Sequence, residues 1–543
     1  MSLVRYLYVT NFITGGAVMV VELLGTRFLA PYFGSSVYTW TALITVTLVA
    51  LAVGYRMGGA LADKFPRAGF LYGLILAAAL FLLAVLAIRR TILAASLGGG
   101  IIGGTLASAT ALFGLPLLIL GTVAPYSVKL CAREMAHLGN VVGRLYAIST
   151  VGSFVGTVSA GFLLLPNFSN VSILAFCAGL LALPPIGYFL FLGRDLVPAG
   201  TSTLVLLIAL LAGLSAEKLP HGKLPAYGLE WKAVYQTNSF YGRIRVIDLR
   251  YPGSESWSRR YLLNDGLIQG SYSLKEHMPM APFPYMLTEL VLDSPQPVRK
   301  ALVLGLGAGF VPKLLHRYLK EVGTLRKIVT VEINPMMYHV AVRYFDFPDH
   351  EKWRSECPVV FADARTFVRN CKEKFDAIVV DTFLGDNAPT HLLSYEMFSQ
   401  LRRILEPTGR MSINIFGSMR GPGSRLIAAL VRTLRRGPDG KGGPFPFVQI
   451  FSQAATAVPH NVYILAGPAG TRPHGKELKA IRVPAFAGDE VRASLRDTTA
   501  ELAGVDRAPV LTDDFNPAES LDAYVRLRIR ENVRLYWGTA LAE

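Results

Sequence analysis

Charge is what this chain has least of. Of its 543 residues only 17% are Asp, Glu, Lys or Arg, against about a quarter in an ordinary globular protein. The shortage is uneven. The first two fifths of the chain are nearly charge-free, whereas the remainder has an ordinary mixture. Mean hydropathy is +0.39. A single water-soluble globule is excluded, and the length also exceeds one ordinary domain. The pattern is that of a membrane region joined to a water-soluble one.

Cysteine is scarce too. The four (Cys131, Cys177, Cys357, Cys371) form no C-x-x-C pair and no regular framework, which argues against structural zinc and a disulfide scaffold. No metal-ligand spacing occurs elsewhere, so no metal is expected. The first apolar segment carries Glu22 and Arg27 and is followed by further apolar segments, so it reads as a retained helix rather than a removable signal peptide. Net charge is +16. In a soluble protein that would raise nucleic acid as a partner. Here Lys and Arg crowd the ends of apolar segments, where anionic lipid accounts for them. A lipid bilayer is the expected partner, and nucleic acid is not.

A membrane helix needs about 20 mostly apolar residues. Segments that qualify lie near 8–30, 38–60, 69–88, 103–125, 142–165, 171–193 and 198–216, which predicts an all-α polytopic bundle of about seven spans over residues 1–216. The fourth belongs to a Gly-rich apolar stretch (Gly98, Gly99, Gly100, Gly103, Gly104) suited to close helix approach or to a re-entrant piece. With a cytoplasmic N-terminus, Arg5, Arg56, Lys64, Arg67, Lys129, Arg133, Arg144 and Arg194 fall on one side, and Arg89, Arg90 and Lys218 on the other. The positive-inside rule favours that orientation, yet seven crossings would put the soluble part outside, away from a nucleotide-derived cofactor. An even count would remove the conflict, and the catalytic domain is expected on the cytoplasmic face of the inner membrane. Glu22 and Arg27 are costly in an apolar span. They mark either a polar path or charges that neutralise each other, as Asp63 and Arg56 would near the next helix end. No second copy of the bundle signals a transporter repeat.

The texture changes near Leu229. Residues 217–228 read as a linker, and 229–293 as a small β-rich subdomain. There Ser239–Leu249 alternates like a half-buried strand, and Tyr261–Asn264 precedes an Asp265-Gly266 turn. Residues 294–543 read as a Rossmann-like α/β domain. Lys300–Leu304 is an apolar strand entering a turn with Gly305, Gly307 and Gly309, followed by a helix over 311–320. Later strands end on Glu332, Asp363 and Asp381, with more at 410–416, 446–451 and 462–466. Glycines let backbone approach a cofactor, and a carboxylate at the end of the second strand can accept two ribose hydroxyls. Asp363 can take a hydrogen bond from an adenine amino group, and Asp381 faces the same cleft. A dinucleotide is disfavoured, because no second nucleotide half follows.

Asp381-Thr-Phe-Leu-Gly-Asp-Asn-Ala-Pro-Thr-His-Leu-Leu-Ser, with Asn264-Asp-Gly-Leu-Ile-Gln and Leu511-Thr-Asp-Asp-Phe-Asn-Pro, resembles the spermidine synthase (polyamine aminopropyltransferase) family. Glu22-Leu-Leu-Gly-Thr-Arg, Pro31-Tyr-Phe-Gly-Ser-Ser and Tyr38-Thr-Trp resemble its membrane-fused bacterial branch. The resemblance implies transfer of a propylamine group from decarboxylated S-adenosylmethionine to a small-molecule amine such as putrescine, in an oligomeric enzyme. It places the general base on Asp381 and a second amine-holding acid on Asp386. Gln269, Glu332, the glycine turn and Asp363 with its neighbour Ala364 would hold the donor. Tyr241 or Tyr285 would line the amine channel, core packing being the alternative for both. Asp513 and Asp514 either extend the acidic pocket or cap a turn. His391 and His277 are candidate bases or surface residues.

The sequence departs from the family pattern in three places. Ala308 replaces an Asp in the glycine turn, Asn334 replaces the second acid of Glu-Ile-Asp, and the Asp-Glu-x-x-Tyr segment is displaced to Lys275-Glu276-His277 with Tyr285 beyond. Loss of the carboxylate at 308 opens the alternative of ordinary S-adenosylmethionine and a methyltransferase. A transporter or sensor with a ligand-binding transferase-like domain is the reading from another class.

Overall fold

The computed structural model describes residues 3–34, 36–131, 138–215, 219–224, 227–254, 256–382, 389–454, 456–475 and 477–538. The chain divides into two compact units, the first comprising Met1–Leu219 with Thr237–Phe240 and the second Pro220–Gln236 with Tyr241–Glu543.

In the first unit six helices among the described residues are long and apolar enough to cross a membrane: Leu3–Phe33, Val37–Lys64, Ala68–Cys131, Gly139–Asn167, Asn170–Leu192 and Leu196–Ser215. The third runs 64 residues, about 96 Å if it were straight and far more than one crossing needs. It is not straight. A 3-10 turn at Leu97–Gly99 leads into Gly100 with φ +68°, and Ala68–Ser96 packs against both Gly100–Ala109 and Leu115–Gly121. The stretch therefore doubles back, so the third and fourth apolar segments read from the sequence are two arms of one helical hairpin.

Glycine sets how closely these helices meet. A Cβ at Gly152 would lie 2.1 Å from the Phe12 carbonyl oxygen, and one at Gly156 2.4 Å from that of Gly16. The first helix and Leu138–Ser159 thus touch backbone to backbone, the usual association mode where lipid offers no hydrophobic drive. Some polar side chains pair inside the bundle. Asn11 donates to the Leu7 carbonyl and to Ser127 Oγ, each at 2.8 Å. The charged pairs expected near the helix ends are not the ones formed. Asp63 pairs with Lys129 at 2.6 Å rather than with Arg56, and Arg27 donates to the Phe240 carbonyl at 3.3 Å.

The second unit holds two sheets. The first is antiparallel in sequential order: β1 (His221–Lys223), β2 (Glu230–Ser239), β3 (Gly242–Arg250), β4 (Arg259–Asn264), β5 (Leu267–Ser273) and β6 (Met278–Pro279). The Asp-Gly signal forms the β4–β5 hairpin, with φ +46° at Asp265 and +78° at Gly266. Two successive positive φ values are what a two-residue turn needs to match strand twist.

The second sheet contains β7 (Lys300–Leu304), β8 (Lys327–Glu332), β9 (Val359–Phe361), β10 (Phe375–Val380), β11 (Leu405–Gly417), β12 (Phe447–Phe451) and β13 (His460–Gly467), in the order β12-β13-β11-β10-β7-β8-β9. The β9-β8-β7-β10-β11 run is parallel, and β13 and β12 are antiparallel. Helices cover both faces, so the central strands are apolar throughout: Ala301–Leu304 and Ala377–Val380 are buried. This is the Rossmann-like, methyltransferase-type α/β fold read from the strand–helix alternation. Phe283–Leu292 packs into its core, with Tyr285, Met286 and Leu290 against Ala301, Val303 and Ala377.

Candidate active site

From β7 the chain winds outward through β8 and β9, then returns to build β10 and β11 on the other side. Such a reversal leaves a crevice at the carboxyl ends of the two central strands, here between Gly305 after β7 and Asp381 after β10. The two approach closely. The Asp381 N–H donates to the Leu304 carbonyl at 2.9 Å. A Cβ on Gly305 would lie 2.1 Å from the Asp381 carbonyl oxygen, at a φ of +97° that favours glycine. Gly307 (φ +54°) has no atom within 4 Å of such a Cβ, so its side opens to the crevice. Gly309 serves packing instead: its α-carbon abuts the Phe347 ring, and it begins the helix Phe310–Glu321 in a left-handed conformation.

The crevice is a cavity of about 440 Å³, and Tyr241, Gln269, Gly305, Gly307, Glu332, Asp363, Ala364 and Asp381 all line it. Gly309 and Tyr285 do not. Tyr285 is fully buried and donates to the Pro279 carbonyl at 2.8 Å, and burial raises its pKa. Of the two alternatives for Tyr285, core packing is the one observed. Asp386 lies outside the described residues.

Each acid on the wall is held by particular donors. Glu332 accepts from the backbone N–H of Leu306 at 2.9 Å and of Asn334 at 2.8 Å, one on each carboxyl oxygen. Burial raises its pKa, while the surrounding backbone N–H groups of Asn334, Leu306, Gly307 and Ile333 pull the other way. Asp363 caps the helix Ala364–Asn370, accepting from Thr366 N–H at 2.8 Å, with His391 Nε2 at 3.2 Å from its other oxygen. Burial opposes ionisation there, but the bonds from Thr366 and His391 outweigh it and hold the carboxyl below its ordinary value. Asp381 accepts from Asn414 Nδ2 at 3.0 Å. Burial pushes its pKa up to about 6, against the bond from Asn414.

Other candidates are placed apart. Asp513 is bound to Arg365, with Nη1 at 2.8 Å, and so serves as an ion-pair partner, not a cavity wall. His277 sits 2.7 Å from Asp346, which also accepts from the Tyr272 hydroxyl, and it does not line the cavity. His391 does, through its contact with Asp363.

Residues that the pattern of strand-end acids does not single out complete the wall: Asn264 and Asn414, Phe416, Pro459 and Asn461, and one face of the C-terminal helix Ala518–Trp537 with Ile529, Asn532, Val533 and Trp537. Asn264 and Asn414 are buried, and the Oδ1 of each lacks a partner within the protein. The signal for Asn414 is a polar residue inside the buried run Met411–Ile415. For the helix it is the 529/532/533/537 spacing, which marks one helical face.

Residues 282–414 match the model of the spermine/spermidine synthase domain. This stretch of the chain is similar to the spermine/spermidine synthase domain. Among curated relatives of this family domain, the polyamine aminopropyltransferase of Vibrio vulnificus is 32% identical over 141 residues, covering 25% of this chain and 44% of the relative. The N-terminal histidine N-methyltransferase of Emericella nidulans is 29% identical over 160 residues, covering 28% and 25%. The chain thus spans less than half the length of either relative. Among solved structures, the spermidine synthase of Thermotoga maritima covers 52% of this chain and 94% of its own, at 19% identity and a TM-score of 0.34.

Within this spermine/spermidine synthase domain Ala308 packs in an apolar cluster with Tyr272 and Phe310 and does not reach the cavity. Among the described residues, three carboxylates line the cavity (Glu332, Asp363, Asp381), and no Lys or Arg does.

Proposed function

We propose that the chain is a membrane-anchored aminopropyltransferase that moves a propylamine group from decarboxylated S-adenosylmethionine to an amine. The observation that carries this reading is the charge of the cavity. In a protein of net charge +16, its wall among the described residues has three carboxylates and no Lys or Arg. Such a wall attracts cations and repels a carboxylate. The decarboxylated donor has a sulfonium and an ammonium and no carboxylate, so it matches this wall better than ordinary S-adenosylmethionine does.

The residues fit that donor. Glu332, oriented by two backbone N–H groups, keeps lone pairs for the ribose hydroxyls. Asp363 and Ala364 border the adenine position, Gly305 and Gly307 admit the donor's approach, and Gln269 faces it from β5. Asp381 is the catalytic base. Its pKa of about 6 leaves it ionised at neutral pH and close enough to neutrality to take a proton. The acceptor's ammonium gives a proton to Asp381. The freed nitrogen lone pair attacks the carbon beside the sulfonium, the C–S bond breaks, and the thioether leaves neutral. Asn414 is a positioning residue through its bond to Asp381, and Asp386 is assigned as a second acid on the acceptor.

The helical unit anchors the enzyme in the inner membrane. We place the second unit on the cytoplasmic face, where a nucleoside donor is drawn from. Because the third helix doubles back, the crossings number seven. The N-terminus then lies outside, and Lys64, Arg67, Lys129 and Arg194 face away from the cytoplasm. An activity reporter fused after Glu543 tests this directly, since cytoplasmic and periplasmic reporters give opposite readings.

Calorimetric titration of the whole protein with each donor, followed by putrescine or another amine and product mass, tests the chemistry. Preference for the decarboxylated donor with a mass gain of one propylamine supports the reading. A second reading, an N-methyltransferase, is favoured by Ala308 and by relatives named as N-methyltransferases. Preference for ordinary S-adenosylmethionine with a methyl mass gain would establish it. Binding of neither donor would move a transporter or sensor role to the front.

A further inference from the structure

Resting on the assignment of Asp363 to the adenine, we propose that Arg365, Asp513 and Asn516 are positioning residues. They hold His391 on Asp363 and so set the preference for an adenine base. The three come from two segments and meet at two neighbouring carbonyls. Arg365 donates from Nη1 to the His391 carbonyl at 2.9 Å and to Asp513 Oδ1 at 2.8 Å, and its Nη2 donates to Asp513 Oδ2. Asn516 Nδ2 donates to the Thr390 carbonyl at 2.9 Å.

The segment that carries Asp513 and Asn516 is itself anchored. Leu511 is fully buried. Its N–H donates to Thr433 Oγ1 at 2.9 Å, and its carbonyl accepts from the Tyr395 N–H at 2.8 Å. The Asp513 N–H donates to Glu396 Oε2 at 3.0 Å. The bond from Arg365 holds the Asp513 carboxyl below its ordinary range.

His391 is therefore held twice, by Arg365 at its carbonyl and through Nε2, which stands 3.2 Å from Asp363 Oδ2. The residue is exposed, so hydrogen bonds rather than core packing decide where the imidazole stands. The other oxygen of Asp363 accepts from the Thr366 N–H at 2.8 Å. A carboxylate fixed at both oxygens keeps its remaining lone pairs in one direction. An acceptor so oriented distinguishes an amino group from a carbonyl oxygen. The motif Leu511-Thr-Asp-Asp-Phe-Asn-Pro thus acts on the nucleoside side of the cavity through His391.

The test is calorimetric binding of 5′-methylthioadenosine and 5′-methylthioinosine to full-length protein in lipid nanodiscs. Wild type should prefer the adenine nucleoside, whose amino group Asp363 accepts, to the inosine analogue, whose oxygen it repels. His391→Ala and Asp513→Asn should each cut that preference about tenfold. The double variant should lose no more than His391→Ala alone, because Asp513 acts through His391. His391→Gln, whose amide can donate in place of Nε2, should keep most of the preference. Asn516→Ala, which frees the Thr390 carbonyl, carries the same test if Asp513→Asn does not fold. A merely structural loss would weaken both nucleosides alike, and an unchanged ratio overturns the proposal. Losses that multiply in the double variant overturn it too. The donor reading fails separately: the expected ratios without propylamine transfer remove the aminopropyl chemistry and leave the clasp. Propylamine transfer with unchanged ratios does the reverse, and a wild type that binds neither nucleoside removes both.

Discussion

The two units use glycine in opposite ways. In the helical unit Gly152 and Gly156 keep ordinary helical backbone, and their value is the missing side chain: helices meet at distances a Cβ would forbid. In the sheet unit Gly305 and Gly307 have φ of +97° and +54°, so the backbone itself takes a path that L-residues resist. On the membrane placement proposed for the first unit, the difference follows from the solvent. Apolar helices in lipid gain little from hiding apolar surface from one another, so contact must come from close packing. The sheet unit already has its core, and its glycines are free to shape a crevice. The units divide over charge as well: the first has little of it and holds Glu22 and Arg27 inside its first helix, whereas the second gathers acids at strand ends.

The sharpest way to break this contrast is to remove the acid at the centre of the crevice. Asp381→Asn should lower kcat by about 10²- to 10⁴-fold. The same change should stabilise the protein, because the folded pKa is raised from 3.8 to about 6. The wild-type penalty is absent below pH 4, grows as pH rises toward 6 and is complete above it. Thermal unfolding should therefore show no gain at pH 4 and a gain of at most about 3 kcal/mol at pH 7.5. Equal gains at both pH values would show that Asp381 is not buried in the manner described.

Next in size, Gly305→Ala meets both a positive φ and the Asp381 carbonyl, and should cost about 3 kcal/mol or more along with donor binding. Gly152→Ala, which has only the close approach, should lower the thermal stability of the helical unit and leave donor affinity by calorimetry unchanged. Loss of donor binding in both variants would erase the distinction. A smaller effect is expected from Glu332→Gln, which removes the charge that the Leu306 and Asn334 N–H groups point at and should weaken donor binding about 10- to 100-fold. The smallest is Asn414→Ala. The bond from Asn414 lowers the Asp381 pKa, so the acidic limb of the kcat/KM profile should move above 6, with several-fold loss at pH 6 and little at pH 8.

Much of the site was legible because it sits where local patterns end. An apolar run followed by Gly-x-Gly, and strands that stop on Glu332, Asp363 and Asp381, carry position and chemistry together, and the structure brings all of these acids to one cavity. Tyr285 was ambiguous because an aromatic residue after a strand looks alike whether it faces a ligand or the core. Helix Phe283–Leu292 decides it by turning Tyr285 under the sheet. His277 and Asp513 were ambiguous for a similar reason, their partners Asp346 and Arg365 being 69 and 148 residues away in the chain.

By itself, the sequence determined the apolar segments, the Rossmann-like alternation and the acids at the strand ends. All three are written in periodicity over a few residues, where hydrophobic burial and backbone geometry act locally. Only the tertiary structure decided that the long third helix doubles back at Gly100, that Asn264 and Asn414 line the cavity with Oδ1 atoms unpartnered within the protein, and that the C-terminal helix forms part of its wall. Those outcomes depend on which separate surfaces pack together, and contact between residues far apart in the chain leaves no periodic trace in either segment.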